Sequence, residues 1–158
     1  MSVTLHFLDQ TKAVAIAGEH AVVLDRTREQ GGDNSGFRAR ELWLASLLSC
    51  ASGTLKLLAK EDGITSVITG TRGELALDEQ NEIVTVQLSF TFAATVTAAQ
   101  QNRWLGRLTH RCLLLKTVAS HIDVQLKADE PIRADINPEP VSTAPAPLHT
   151  SCALQGVC

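Results

Sequence analysis

The chain has 158 residues, of which 44% are apolar and 20% are charged. This length and composition fit one globular domain with its own hydrophobic core and leave little room for two. The net charge of −3 argues against a general electrostatic attraction to nucleic acids or to anionic membrane surfaces.

The N-terminal region, residues 1–20, lacks the basic start and the continuous apolar stretch of a signal peptide. We expect no membrane span, because no apolar run approaches the required length of roughly 20 residues. We expect a cytoplasmic protein without a membrane or nucleic-acid partner, in which thiols stay reduced and structural disulfides are rare.

Residues 3–24 predict two or three short strands, because Val3, Leu5 and Phe7 alternate with polar neighbours and a turn signal at 18–20 precedes a second apolar run. Residues 25–38 are rich in charge, glycine and small polar side chains, which is typical of an exposed loop. The glycines of this loop do not match the spacing of a nucleotide-binding or phosphate-binding loop.

A long helix is predicted over residues 39–60, where leucines recur at spacings of three and four. Apolar side chains cover most of its circumference, so several of its faces should be buried. Small side chains on this helix would let another backbone approach closely, and they are Ser46, Ser49, Ser52 and Gly53. A second subunit is a candidate for that neighbour. The helix should stop at the Asp62–Gly63 pair.

The second half of the chain returns to a strand pattern. Apolar and polar residues alternate from Val84 to Ala94, and an earlier strand at about 66–77 joins this one through a turn-forming cluster, which favours an antiparallel hairpin. Thr97 is a candidate cap for a second helix at about 98–120, whose apolar stripe includes Cys112. Residues 122–126 alternate as a last short strand.

All five prolines lie between residues 131 and 147. We therefore divide the chain into a domain at 1–130 and a Pro-rich C-terminal tail at 131–158. The order of elements predicts an α+β domain of two layers, in which two long helices pack on a mainly antiparallel sheet. A basic ridge on the second helix is interpreted as a solvated face, and it consists of Arg103, Arg107 and Arg111.

Two of the four cysteines, Cys50 and Cys112, fall on the apolar stripes of the two predicted helices. Pattern alone leaves two interpretations open, namely small core residues or a reactive pair. Positive side chains near Cys112 favour the reactive pair, since positive charge lowers the pKa of a thiol. They are His110, Arg111 and Lys116.

The tail brings His149, Cys152 and Cys158 within ten residues of one another. Their spacing matches no common zinc motif, so we predict neither a metal site nor another cofactor. The two thiols of the tail either take part in thiol–disulfide exchange with the helix cysteines or have no role in the chemistry.

The sequence resembles the family of osmotically inducible protein C and organic hydroperoxide resistance protein (OsmC/Ohr). The resemblance covers about residues 20–128. It rests on the loop GGDNSGF, on the stretch from Arg40 to Ala51 with Cys50 inside it, on the hairpin, and on a second helix that contains Cys112. It implies an OsmC-like α+β fold in an intertwined homodimer.

The resemblance further implies a thiol-dependent peroxidase that reduces organic hydroperoxides. Cys50 would attack the peroxide, Cys112 would resolve the resulting sulfenic acid as a disulfide, and a small dithiol or a dithiol protein would restore both thiols. Family members also use an acidic residue at the start of the first helix, which Glu41 matches, and an arginine. The arginine has four candidates, Arg26, Arg28, Arg38 and Arg40.

Nine residues at about 100° each place Glu41 and Cys50 on opposite sides of a regular helix. A shared site would then need a bend in the helix or a contribution from the partner subunit. Prolines that are common in the family are absent before Glu41 and after Cys112, which indicates a divergent branch. Two other functions therefore stay open on the same fold, a non-catalytic protein that binds a small apolar ligand and a redox sensor.

Overall fold

The computed structural model describes residues 2–129. The predicted tail, with His149, Cys152 and Cys158, lies outside these residues.

The N-terminal strands form a small antiparallel sheet of their own. It contains β1 (Thr4–Phe7), β2 (Ala13–Ala17) and β3 (His20–Leu24) in that order. Gly18 adopts a φ of +61° in the turn between β2 and β3, a conformation that glycine reaches without strain. The strand prediction for residues 3–24 is confirmed.

The first long helix, α1, runs without interruption over Ala39–Glu61, as the periodicity predicted. It ends at Asp62, and the following Gly63 takes a φ of +77°, which stops the helix. Its inner face enters the core through Leu47, Ala51, Leu55, Leu58 and Ala59.

The second sheet contains β4 (Ile68–Leu77), β5 (Ile83–Phe92) and β6 (Asp123–Asp129) in that order. The predicted β4–β5 hairpin is antiparallel, but β6 pairs with β5 in parallel. The prediction of mainly antiparallel pairing is confirmed for three of the four strand pairs of the described chain, but these strands form two sheets instead of one, and the second sheet is mixed. The parallel pairing arises because a helical crossover returns the chain to the starting end of β5 before β6 begins.

The crossover consists of two helices, α2 (Ala98–Arg111) and α3 (Leu113–Val118). Thr97 caps α2, since its side chain accepts a hydrogen bond from the Gln100 amide at 3.3 Å. The predicted single helix over 98–120 is wrong at Cys112, whose φ of −80° and ψ of 120° are extended. Leu115, beyond the break, still faces the core, so the apolar spacing continues across Cys112. The apolar period therefore could not reveal that the helix is interrupted there.

The end of α1 is tied to α2 by ion pairs that the sequence interpretation missed. Arg107 and Arg111 donate to Glu61 at 2.9 and 2.6 Å, and Arg103 donates to Asp62 at 2.5 Å. The basic ridge is therefore paired with α1 and is not simply a solvated face. Pairs as exposed as these contribute little stability each.

One helix among the described residues, α1, is long and apolar enough to cross a membrane by length and composition, with a mean hydropathy of 1.5 over an 18-residue window. This corrects the sequence expectation that no such run exists. Core helices pass the same test, and α1 packs its inner face against β4 and the crossover helices, so the finding is weak support for a membrane span. Its outer face is open, and Leu57 on that face is 61% exposed.

Candidate active site

The structure brings Cys50 and Cys112 together although 62 residues separate them in sequence. Their Sγ atoms lie 3.1 Å apart, and both are free thiols. A disulfide bond is about 2.05 Å long, so a contraction of roughly 1 Å would join them. The site therefore has the geometry of a reduced pair that can be oxidised with little movement of the backbone.

The two thiols differ in their access to solvent. Cys112 is 0% exposed, whereas Cys50 on α1 is half-buried. A reagent that arrives from solvent must therefore meet Cys50 first. Cys50 is also the thiol that borders the open outer face of α1.

The pKa of the buried Cys112 thiol is raised, first because burial disfavours the thiolate and further because Cys50 lies beside it. The expectation that positive neighbours would lower the pKa of this thiol is wrong in direction. Arg111, the nearest cation along the chain, is bonded to Glu61. Cys112 is thus held as a neutral thiol at neutral pH.

The break between α2 and α3 fixes the position of Cys112. Its amide donates to the Leu108 carbonyl at 2.8 Å, and its carbonyl accepts from the Lys116 amide at 2.9 Å. The backbone of Cys112 therefore belongs to both helices, while its extended dihedrals turn the side chain toward Cys50.

Thr54 is a site residue that the sequence interpretation missed. Its hydroxyl donates to the carbonyl oxygen of Cys50 at 3.0 Å. The signal in the sequence is its position four residues after Cys50, which puts both on one side of the helix. That signal identifies a neighbour but not a role.

Glu41 lies in the first turn of α1, where it completes a capping box with Arg38. Its carboxylate accepts from the Arg38 backbone amide at 2.9 Å and from the Arg38 Nε at 2.8 Å. These bonds lower the pKa of Glu41, the Arg38 side chain contributing most. Among the four candidate arginines, Arg38 is thus the one that pairs with the acid.

Within one chain, Glu41 does not reach the thiols. Nine residues at about 1.5 Å each separate it from Cys50 by roughly 13 Å along the axis, and α1 has no break between them. Glu41 instead lines an open groove of about 720 Å³ together with Arg26, Arg38 and Arg40, and neither cysteine contributes to its lining. Over residues 2–129, no three His, Cys, Asp or Glu side chains are grouped so as to hold a metal ion.

Residues 32–127 match the family model of the OsmC-like protein. No curated protein sequence matches the chain at a significant level. Among solved structures, an OsmC-like protein from Mycoplasma pneumoniae superposes with a TM-score of 0.67 at 16% identity, over 82% of this chain and 95% of that one.

The organic hydroperoxide resistance protein OhrB of Bacillus subtilis superposes with a TM-score of 0.62 at 19% identity, over 81% of this chain and 96% of that one. An organic hydroperoxide resistance protein from Legionella pneumophila gives a TM-score of 0.63 at 14% identity, over 81% and 95% of the two chains. At such low identities the superpositions establish a shared α+β fold.

Proposed function

The chain belongs to the OsmC-like protein family, and we propose that it is a thiol-dependent peroxidase that reduces organic hydroperoxides through Cys50 and Cys112. The observation that carries the proposal is the 3.1 Å contact between a half-buried thiol and a fully buried one. Structural neighbours that are named for organic hydroperoxide resistance support the same proposal.

The first step takes place at Cys50. Its thiolate attacks the O–O bond of the hydroperoxide, the sulfur gains the terminal OH as a sulfenic acid, and the alkoxide leaves and takes up a proton as an alcohol. The peroxide is reduced by two electrons and the Cys50 sulfur is oxidised. The greater exposure of Cys50 supports this assignment.

Cys112 then resolves the sulfenic acid. Its sulfur forms the S–S bond, the S–O bond of Cys50 breaks, and the departing hydroxide leaves with the thiol proton as water. Because the two sulfurs are in contact at the start, the disulfide can form before a second peroxide oxidises Cys50 further. A small dithiol or a dithiol protein reopens the disulfide by exchange, which returns both thiols. The cycle requires reduced thiols, which fits the cytoplasm proposed from the sequence.

Apolar side chains near the thiols favour organic hydroperoxides as substrates. Leu113 directly follows Cys112 and is 74% exposed, and Leu57 lies two turns after Cys50 on the open face of α1. An apolar substituent gains free energy when it is buried against such side chains. Hydrogen peroxide has no substituent of this kind, so we expect it to be the poorer substrate.

A homodimer would complete the site. The outer face of α1 carries small exposed residues, and the N-terminal sheet leaves Phe7 78% exposed. Exposed apolar surfaces of this kind mark contacts with another chain. Since the Glu41–Arg38 pair is remote from Cys50 of its own chain and α1 is continuous, we propose that this pair acts at the Cys50 of the partner subunit.

The proposal is tested by adding one equivalent of an organic hydroperoxide to the fully reduced protein and mapping the oxidised cysteines by peptide mass spectrometry. We expect a rapid Cys50–Cys112 disulfide that a dithiol reopens. Cys50→Ser should lower peroxide consumption by at least roughly 100-fold, because the nucleophile is lost.

A double variant of the tail, Cys152→Ser with Cys158→Ser, is the matched control and should keep turnover. Loss of turnover in this control would instead assign the tail thiols to the cycle. Helix thiols that stay unmodified in the wild-type protein would contradict the peroxidase and favour a ligand-binding protein. Oxidation without reopening by dithiols would favour a redox sensor.

A further inference from the structure

Cys50 and Cys112 present two free sulfur ligands side by side. Their Sγ atoms are 3.1 Å apart, and Cys50 is the member of the pair that solvent reaches. Within residues 2–129, no third His, Cys, Asp or Glu side chain joins them in a group that could hold a metal ion. Among the described residues, the pair therefore offers two soft ligands to a bound atom.

The separation of the two sulfurs limits which atom they can hold together. Bonds of about 2.3 Å to a common atom place two sulfurs roughly 3.3 Å apart at a right angle, roughly 3.8 Å at the tetrahedral angle and roughly 4.6 Å along a straight line. The observed 3.1 Å is nearest to the right angle. Tetrahedral zinc also requires four ligands, and a linear two-coordinate metal requires sulfurs much farther apart, so neither fits this pair.

Trivalent arsenic meets both conditions. It is a soft centre that prefers sulfur, and its three bonds form a pyramid with angles close to a right angle. A monosubstituted arsonous acid, R–As(OH)₂, keeps one bond to carbon and has two hydroxyl groups that thiols replace. The number of exchangeable positions therefore equals the number of sulfurs in the pair.

The burial of Cys112 favours the same class of ligand. Cys112 is fully buried, so a charged thiolate would lose its hydration there. A metal cation binds thiolates and releases their protons to solvent. An arsonous acid instead takes up both thiol protons on its departing hydroxyl groups, and the complex that remains is neutral.

The surroundings of the pair suit an organic substituent on arsenic. Cys50 is half-buried and borders the open outer face of α1, so the group R has space outside the core. Leu113, directly after Cys112, is 74% exposed and offers an apolar contact.

We propose that Cys50 and Cys112 form a binding site for monosubstituted trivalent arsenic compounds, which the pair chelates through both sulfurs. Two As–S bonds form and two As–O bonds break, and each departing hydroxide leaves with one thiol proton as water. Arsenic stays trivalent and both sulfurs stay reduced, so no oxidant or reductant takes part. This binding is separate from peroxide reduction, which it blocks by occupying the same thiols.

The test titrates the fully reduced chain with phenylarsine oxide, which is the anhydride of such an arsonous acid. The chain carries Cys152→Ser and Cys158→Ser, so that only the helix thiols react. Native mass spectrometry measures the stoichiometry, and a chromogenic thiol reagent counts the thiols that remain. We expect one arsenical per chain, with a mass gain of phenylarsine oxide less one water, and the loss of both thiols.

Two further comparisons test chelation by both sulfurs. Cys50→Ser and Cys112→Ser, each added to the tail variant, should weaken the affinity by at least roughly 100-fold, because the second bond no longer closes a ring. Inorganic arsenite should bind at least roughly tenfold more weakly than phenylarsine oxide, since two thiols leave its third hydroxyl in an apolar site. An adduct that keeps one free thiol, or an affinity that either serine substitution leaves unchanged, would overturn the proposal.

The outcome is separable from that of the peroxidase proposal. A chain that forms the disulfide with peroxide but takes up no arsenical refutes the arsenic site alone. A chain that chelates the arsenical but leaves peroxide unconsumed refutes the peroxidase instead. If circular dichroism shows that a serine variant is unfolded, alkylation of Cys50 in the folded chain with iodoacetamide replaces that variant and should abolish binding.

Discussion

At the scale of single residues, Asp25 organises the loop that leads into α1. It is 5% exposed, and its carboxylate accepts hydrogen bonds from the amides of Arg26, Asp33 and Ser35 and from the Ser35 hydroxyl. These bonds hold the pKa of Asp25 well below its usual range, the Ser35 amide contributing most. The loop that the sequence predicts to be exposed is thus ordered around a buried charge.

Asp25→Asn should loosen this loop, because a neutral amide offers one acceptor oxygen in place of two charged ones. We expect the amide hydrogens of Asp33 and Ser35 to exchange roughly tenfold faster, as measured by hydrogen–deuterium exchange. The control is Asp33→Asn. The exposed carboxylate of Asp33 bonds the Lys12 ammonium at 2.8 Å, and its loss should leave the exchange of the Ser35 amide nearly unchanged.

The effect of Asp25→Asn on the free energy of unfolding should also depend on pH. The pKa of Asp25 is lower in the folded than in the unfolded protein, so the carboxylate stabilises the fold at neutral pH. That contribution decreases as the pH falls below the ordinary range of aspartate. The difference in unfolding free energy between the wild type and Asp25→Asn should therefore shrink on acidification, and a difference that grows at low pH would contradict this account.

At the level of the helices, the junction between α2 and α3 holds Cys112, and leucine instead of proline follows it. Leu113 is the first residue of α3, where a backbone amide has no partner inside the helix, and its side chain is 74% exposed. Cys112 before it is extended, which is the conformation that a following proline imposes. The backbone is therefore already suited to proline.

Leu113→Pro should be tolerated and should stabilise the protein by about 0.4–1 kcal/mol, since it restricts the unfolded chain at a compatible position. Urea unfolding measures the change. Thr109→Pro is the matched control inside α2 and should cost about 3 kcal/mol or more, because it removes a helical hydrogen bond. Destabilisation by Leu113→Pro comparable to that by Thr109→Pro would show that α3 does not begin at residue 113.

Across the molecule, residues 2–129 of one chain leave apolar surface uncovered in two places, the outer face of α1 and the N-terminal sheet. On the α1 face, Ser46, Ser49 and Gly53 are small and exposed, and Leu57 continues the same stripe. Small side chains allow close approach of a second helix, and Leu57 supplies the apolar contact. Cys50 borders this face, which links assembly to the proposed chemistry.

Leu57→Glu should weaken the proposed homodimer by at least about 2 kcal/mol, or more than tenfold in the dissociation constant, because the proposed contact would bury a charge in place of a leucine. Analytical ultracentrifugation over a dilution series measures this change. The control is Thr65→Glu in the exposed segment between α1 and β4, which adds the same charge away from the stripe. A dissociation constant that Leu57→Glu leaves unaltered would exclude this face as the contact.

Local signals in the sequence were sufficient for most elements. The apolar period determined α1, the alternation from Val84 determined β5, and the Asp62–Gly63 and Thr97 signals located a helix end and a helix start. These features depend on residues a few positions apart, which is the range over which periodicity and capping act. The two reactive candidates, Cys50 and Cys112, were also visible from composition and from the family resemblance.

Only the tertiary structure decided how those pieces meet. The 3.1 Å contact between the thiols, the extended Cys112 between α2 and α3, and the parallel β5–β6 pairing all depend on residues far apart in sequence. The pKa of Cys112 shows the same limit, because the charged neighbours along the chain suggested a lower value whereas burial by distant side chains raises it. Local patterns determine which segments form helices and strands, but burial and side-chain contacts are set by packing, and packing determines which of the two thiols solvent can reach.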